Sequence, residues 1–164
     1  MFPKWRGLLG RYVEDKLKCE TAACGKEWRA LIERLRGQER MVQLRTLNQA
    51  LNKKRYVDDL TNWNKPDYWE TPFQFLRRGG DCEDYAIAKY LALAELGVPT
   101  DDMRIAIVQD QNLGIAHAIL VVTVDGKSWV LDNQISKVVP ATSIRHYRPV
   151  YSVNEKGWWL HRFA

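Results

Sequence analysis

Cys82, His117 and Asp132 are the residues whose types could together do chemistry in this chain. A cysteine attacks as its thiolate, an imidazole can take and return a proton near neutral pH, and a carboxylate can hold that imidazole in one tautomer. Such a set supports nucleophilic attack on an amide or ester carbonyl. Taken singly, each residue has a plainer explanation: Cys82 as a small buried side chain, His117 as a core histidine, Asp132 as a turn residue at a strand end. Their joint placement has to carry the chemical reading.

That placement begins with Gly79-Gly80-Asp81-Cys82, after which an Ala-, Leu- and Tyr-rich run continues without a breaker to Leu96 and stops at Gly97-Val98-Pro99. The pattern predicts a helix with Cys82 at its N-terminus, where unpaired N–H groups and the positive end of the dipole favour an anion. The Cys82 N–H is then a natural donor to an oxyanion. The two glycines are expected to leave the backbone open to an approaching substrate carbonyl.

Downstream, residues 103–109, 115–124 and 127–131 are β-branched segments, and Asp125-Gly126 between the last two is a two-residue hairpin signal. With those turn residues Val124 faces Lys127, so His117 faces Gln134 and Asp132 faces Ile119. His117 and Asp132 become same-face diagonal neighbours, about 7–8 Å apart between Cα atoms, within reach of a carboxylate–imidazole hydrogen bond. The other ring nitrogen is left for Cys82.

The acids flanking the cysteine have two readings. Asp81 could cap the helix while Glu83 and Asp84 complement its dipole, each worth about 0.3–1 kcal/mol. Carboxylates also oppose ionisation of a neighbouring thiol unless a cation neutralises them, and Ca²⁺, a hard ion taking oxygen ligands, would do so. Neither His146 nor His161 is given a partner by the sequence. Both read as structural or surface residues.

Around this centre the chain, 164 residues with 46% hydrophobic and 27% charged side chains, suits one α+β domain over 1–164, helices first and sheet afterwards. Apolar residues at Trp28, Leu31, Ile32, Leu35, Met41, Val42, Leu44, Leu47 and Leu51 follow the helical period with a break at Gly37. Thr71-Pro72 opens a further short helix. No apolar run approaches the roughly 18 residues that span a bilayer, so a membrane-embedded protein is not expected. Residues 1–5 lack a charged and apolar leader pattern, so the N-terminus does not indicate a compartment. The net charge of +5 is concentrated in residues 1–55, where basic residues alternate with acids and leucines at helical spacing. That is a solvated helix face, and nucleic acid is not an expected partner. Cys19 and Cys24 form a close pair apart from Cys82, which suggests a local disulfide or, on the plainer reading, two thiols.

The stretch Gly79-Gly80-Asp81-Cys82-Glu83-Asp84-Tyr85-Ala86-Ile87-Ala88-Lys89-Tyr90, the strand histidine, Leu131-Asp132-Asn133 and the lead-in Tyr68-Trp69-Glu70-Thr71-Pro72 closely resemble the LapG-type bacterial transglutaminase-like cysteine proteinases. The likeness runs from about Phe2 to the C-terminus. It implies a papain-like or transglutaminase-like core, with N-terminal helices and the catalytic cysteine's helix packed on an antiparallel sheet. It also implies a Cys82–His117–Asp132 triad and Ca²⁺ bound by Asp81 and Glu83, with Asp84 a further candidate ligand. The same resemblance implies a periplasmic enzyme that cuts a large surface adhesin near its N-terminus, after paired alanines, in biofilm control. An inner-membrane cyclic-di-GMP receptor would be its inhibitory partner. Trp69 is a candidate second oxyanion donor. Two rival readings keep the fold: an amide or acyl transferase of the transglutaminase kind, in which an amine replaces water, and a binding module without turnover.

Overall fold

The computed structural model of the protein describes residues 2–162. The apolar stripe resolves into α2 (Lys26–Leu35) and α3 (Arg40–Asn52), preceded by α1 (Pro3–Cys19). Gly37, with φ +76°, makes the left-handed bend that divides α2 from α3, and the Glu39 carboxylate accepts the Met41 and Val42 N–H groups at 3.1 Å to start α3. The first helix begins at Pro3 and buries Trp5, Leu8 and Tyr12. Cys19 at its end is disulfide-bonded to Cys24.

Two short helices follow, α4 (Asp59–Trp63) and α5 (Pro72–Arg78), the second opened by a reciprocal box between Thr71 and Gln74. Then comes α6 (Cys82–Glu95), buried from Asp84 through Leu93. A helix enclosed on every side is the centre of its fold. Trp5 of α1 meets Tyr90 of α6 edge-on at 5.0 Å between ring centroids, a contact worth about 0.5–1.5 kcal/mol beyond burial.

The strands are β1 (Met103–Asp110), β2 (Ile115–Val124), β3 (Lys127–Leu131), β4 (Val139–Pro140), β5 (Tyr147–Asn154) and β6 (Gly157–Leu160). They form one antiparallel sheet in the order β4-β3-β2-β1-β5-β6. Asp125, at φ +50°, and Gly126, at φ +75°, turn β2 into β3, with Val124 opposite Lys127 as the sequence predicts. One sheet face sends Ile105, Leu120, Val122 and Leu131 into the core shared with the helices. The other carries a smaller cluster of Ala106, Val108, Ile119 and Val130, against which Tyr147 packs. The short strand β4 and the β5–β6 hairpin were not legible in the residue pattern. They depend on pairing with strands already in place.

The β2–β3 ladder ends at Leu120 opposite Leu131, whereas β2 begins five residues earlier. The first half of β2 therefore lacks a strand neighbour on that side. The N-terminal end of α6 lies against that open edge.

Candidate active site

Cys82 is the first residue of α6 and is half-buried. The backbone N–H of Ala118, the β2 residue beside His117, favours the thiolate form of Cys82, so the edge left by β3 faces the nucleophile candidate. The thiol donates to Glu83 Oε2 at 3.0 Å. Burial pushes the Cys82 thiol up strongly, the charge and hydrogen bond of Glu83 add to this, the Ala118 N–H works the other way, and Asp81 raises it again.

The predicted diagonal pair is present one residue beyond the end of the ladder. His117 Nε2 donates to Asp132 Oδ1 at 2.8 Å, with both side chains buried. The same Oδ1 accepts the Gln134 N–H at 2.8 Å, and Oδ2 accepts the Tyr147 hydroxyl at 2.7 Å. Burial by itself would raise the Asp132 carboxyl. The bond and charge of His117, with the Gln134 N–H and Tyr147 hydroxyl, outweigh it and hold Asp132 below the usual carboxylate range. With Nε2 committed to Asp132, Nδ1 is the ring nitrogen left for proton transfer.

Tyr147 was not foreseen, because it lies on β5, separated from β2 by β1, and no local pattern links position 147 to 132. The glycines before Cys82 serve packing rather than an open approach. Gly79 has φ +74°, and a Cβ there would lie 2.2 Å from the Arg55 carbonyl oxygen. A Cβ on Gly80 would lie 2.4 Å from Asp84 Oδ2. Asp84 itself braces the turn, accepting the Glu70 N–H at 2.8 Å and the Asp81 N–H at 3.0 Å.

The other acids gather below the cysteine. Asp59, Asp81 and Asp84 bring carboxylate oxygens within 4.8 Å of one another, and Asp81, Cys82 and Glu83 form a second such group. Asp59 Oδ1, Asp81 Oδ1 and Glu70 Oε2 are buried without a hydrogen-bond partner among the described residues. Burial first, then the Glu83 charge and hydrogen bond, pushes Asp81 up to about 10, and burial with the Asp59 charge pushes Glu70 up to about 7. Burial likewise raises Asp59. Unpartnered, crowded carboxylate oxygens are the donor set of a hard divalent cation, so the residues present fit calcium. Asp59 was missed in the sequence because it lies on α4, far along the chain from Asp81.

Trp69, His161 and His146 have the following neighbours. Trp69 is buried, its ring 5.5 Å from that of Phe2 and its carbonyl accepting from Arg11, and its indole N–H has no acceptor among the described residues. His161 has a partner that the sequence did not reveal, Ser152 Oγ at 2.9 Å. His146 packs edge-on against Tyr147 at 4.5 Å.

The chain that carries a cysteine at the start of a central helix and a bonded His–Asp pair on the sheet matches a known family. The family model described as "Bacterial transglutaminase-like cysteine proteinase BTLCP" covers residues 16–161, and the chain belongs to that family. Among solved structures it is similar to calcium-bound LapG of Legionella pneumophila, with 32% identity, 91% of this chain and 87% of that chain covered, and a TM-score of 0.77. EGTA-treated LapG of the same organism gives 31% identity, 93% and 86% coverage, and a TM-score of 0.78. Comparison with curated protein sequences gives no match.

Proposed function

We propose that this chain is a calcium-dependent cysteine endopeptidase acting through Cys82, His117 and Asp132. The observation that carries the proposal is the buried His117–Asp132 bond of 2.8 Å, placed one residue along β2 from Ala118, whose N–H favours the Cys82 thiolate. His117 Nδ1 takes the thiol proton while its Nε2–H stays on Asp132. The sulfur attacks the peptide carbonyl carbon, and the Cys82 N–H donates to the oxygen that becomes negative. The proton then passes from His117 to the leaving amine, giving a thioester. Water, activated by the same imidazole, hydrolyses that thioester and returns the thiol.

Asp81 and Glu83 would hold the calcium ion, with the unpartnered oxygen of Asp59 a third donor. When bound, the ion supplies positive charge that offsets the carboxylates opposing the thiolate. The calcium-bound and EGTA-treated LapG structures support this part of the reading. By the same kinship we propose that the substrate is the N-terminal region of a large surface adhesin and that the enzyme works in the periplasm. An inner-membrane cyclic-di-GMP receptor would then restrain it in biofilm control.

Adhesin N-terminal fragments incubated with the protein, with Ca²⁺ or with a calcium-selective chelator, test the reading. Wild type is expected to cleave only with Ca²⁺, and Cys82→Ala to fold and not cleave. Cleavage by Cys82→Ala would overturn the nucleophile assignment, and full activity in chelator would overturn the metal.

A further inference from the structure

Lys89 is a buried cation for which the mechanism above has no use. It lies seven residues after Cys82, two helical turns, so the two side chains leave α6 on the same face about 10 Å apart along the axis. Its side chain is 0% exposed on a helix whose other buried residues, Asp84 apart, are Ala, Leu, Ile and Tyr. The ammonium donates to Asn52 Oδ1 at 2.6 Å and sits 5.8 Å from the Tyr85 ring centroid. Asn52 Nδ2 in turn donates to the Asp132 carbonyl at 2.9 Å. One turn earlier on α3, Asn48 Nδ2 donates to the Ser136 carbonyl at 3.2 Å, so one face of α3 grips the segment leaving β3 at two points.

An asparagine amide has two orientations that exchange donor for acceptor. A lysine, which can only donate while protonated, admits the one that turns Oδ1 to itself and Nδ2 to Asp132. We propose that Lys89 is a positioning residue of the active centre, locking Asn52 so that α6 fixes the backbone of Asp132 from its middle and presents Cys82 at its start. The inference rests on the triad reading and deepens it. Burial lowers the Lys89 ammonium to about 7, and the Asp132 charge is what opposes that fall. For stability alone a matched apolar pair would serve this site as well or better, because replacing a buried charge together with its partner is often neutral or stabilising.

The test sets stability against turnover. Lys89→Met, similar in length and unable to donate, is expected to fold with a modestly lowered Tm while kcat falls about 10- to 100-fold at nearly constant KM, the scale of loss expected from a small misplacement of a reacting group. Lys89→Arg keeps a donor and should retain more kcat than Lys89→Met despite a lower Tm. Asn52→Ala, at a half-buried position, should reproduce the Lys89→Met loss of kcat in its folded fraction, and the double variant should be no worse in kcat than either single variant. Wild-type kcat in folded Lys89→Met, a loss no larger than its unfolded fraction, or multiplicative losses in the double variant would overturn the inference. Cys82→Ala is measured alongside: if it still cleaves, the triad reading has failed instead.

Discussion

Asp132 and the acidic cluster beside Cys82 are built in opposite ways. Asp132 is supplied with a donor at every turn: His117, the Gln134 N–H and Tyr147 on its carboxylate, Asn52 on its carbonyl. It is held ionised and its geometry is complete. Around the bonded Asp84, the carboxylates of Asp59, Glu70 and Asp81 each keep one buried oxygen without a donor among the described residues, and all four carboxyls are pushed upward. A satisfied carboxylate is preorganised by the fold, whereas an unsatisfied cluster needs something from outside the chain. On the proposed reading, the His117–Asp132 half of this centre is finished on folding and the Cys82 half waits on a cation.

The sharpest way to break the comparison is to disturb the finished side. Asp132→Asn keeps the shape but admits the wrong imidazole tautomer, and kcat should fall about 10³- to 10⁴-fold with the protein still folded. A variant of near wild-type kcat would show that Asp132 is a structural residue only. Removing a single donor should do less. Tyr147→Phe is expected to lower kcat about 10-fold, in line with roughly 1.5 kcal/mol for a hydrogen bond to a charged group. Steady-state kinetics on the same adhesin fragment measure both.

The conditional side should show itself in stability. In chelator, carboxyls with folded values above their unfolded ones favour the native state at low pH. Their contribution is lost as pH rises from about 4, the unfolded carboxyl value, through the folded values. The folded values are about 7 for Glu70 and about 10 for Asp81, so the Tm of chelated protein should decline from pH 5 to pH 8. Asp132, with its lowered value, contributes oppositely and loses its share only as the solution becomes strongly acidic. Asp59→Asn should raise Tm in chelator by a few degrees, about 1 kcal/mol for a chain of this size, and diminish the rise that Ca²⁺ produces. A calcium-independent Tm, or an Asp59→Asn variant stabilised equally by Ca²⁺, would place the acids back as helix caps.

Local pattern was enough for much of this protein. Gly37, Asp125-Gly126, Thr71-Pro72 and Gly97-Val98-Pro99 are punctuation whose backbone preferences act within a few residues. They placed α2, α3, α5, α6 and the β2–β3 hairpin correctly. Because hairpin register follows from turn length and a two-residue side-chain period, the proximity of His117 and Asp132 could be computed from their numbers alone. The tertiary structure decided what crosses between elements. Asn52 on α3, Tyr147 on β5 and Asp59 on α4 meet their partners over separations that no periodicity encodes. The roles of Gly79 and Gly80 could not be read locally either, since what forbids a side chain is the Arg55 carbonyl and Asp84, brought there by packing. Burial was the last thing withheld: Lys89 reads in sequence as one more polar residue on a helix. Enclosure by the neighbouring helices and the sheet is what makes it a charge that must have a partner, and Asn52 is that partner.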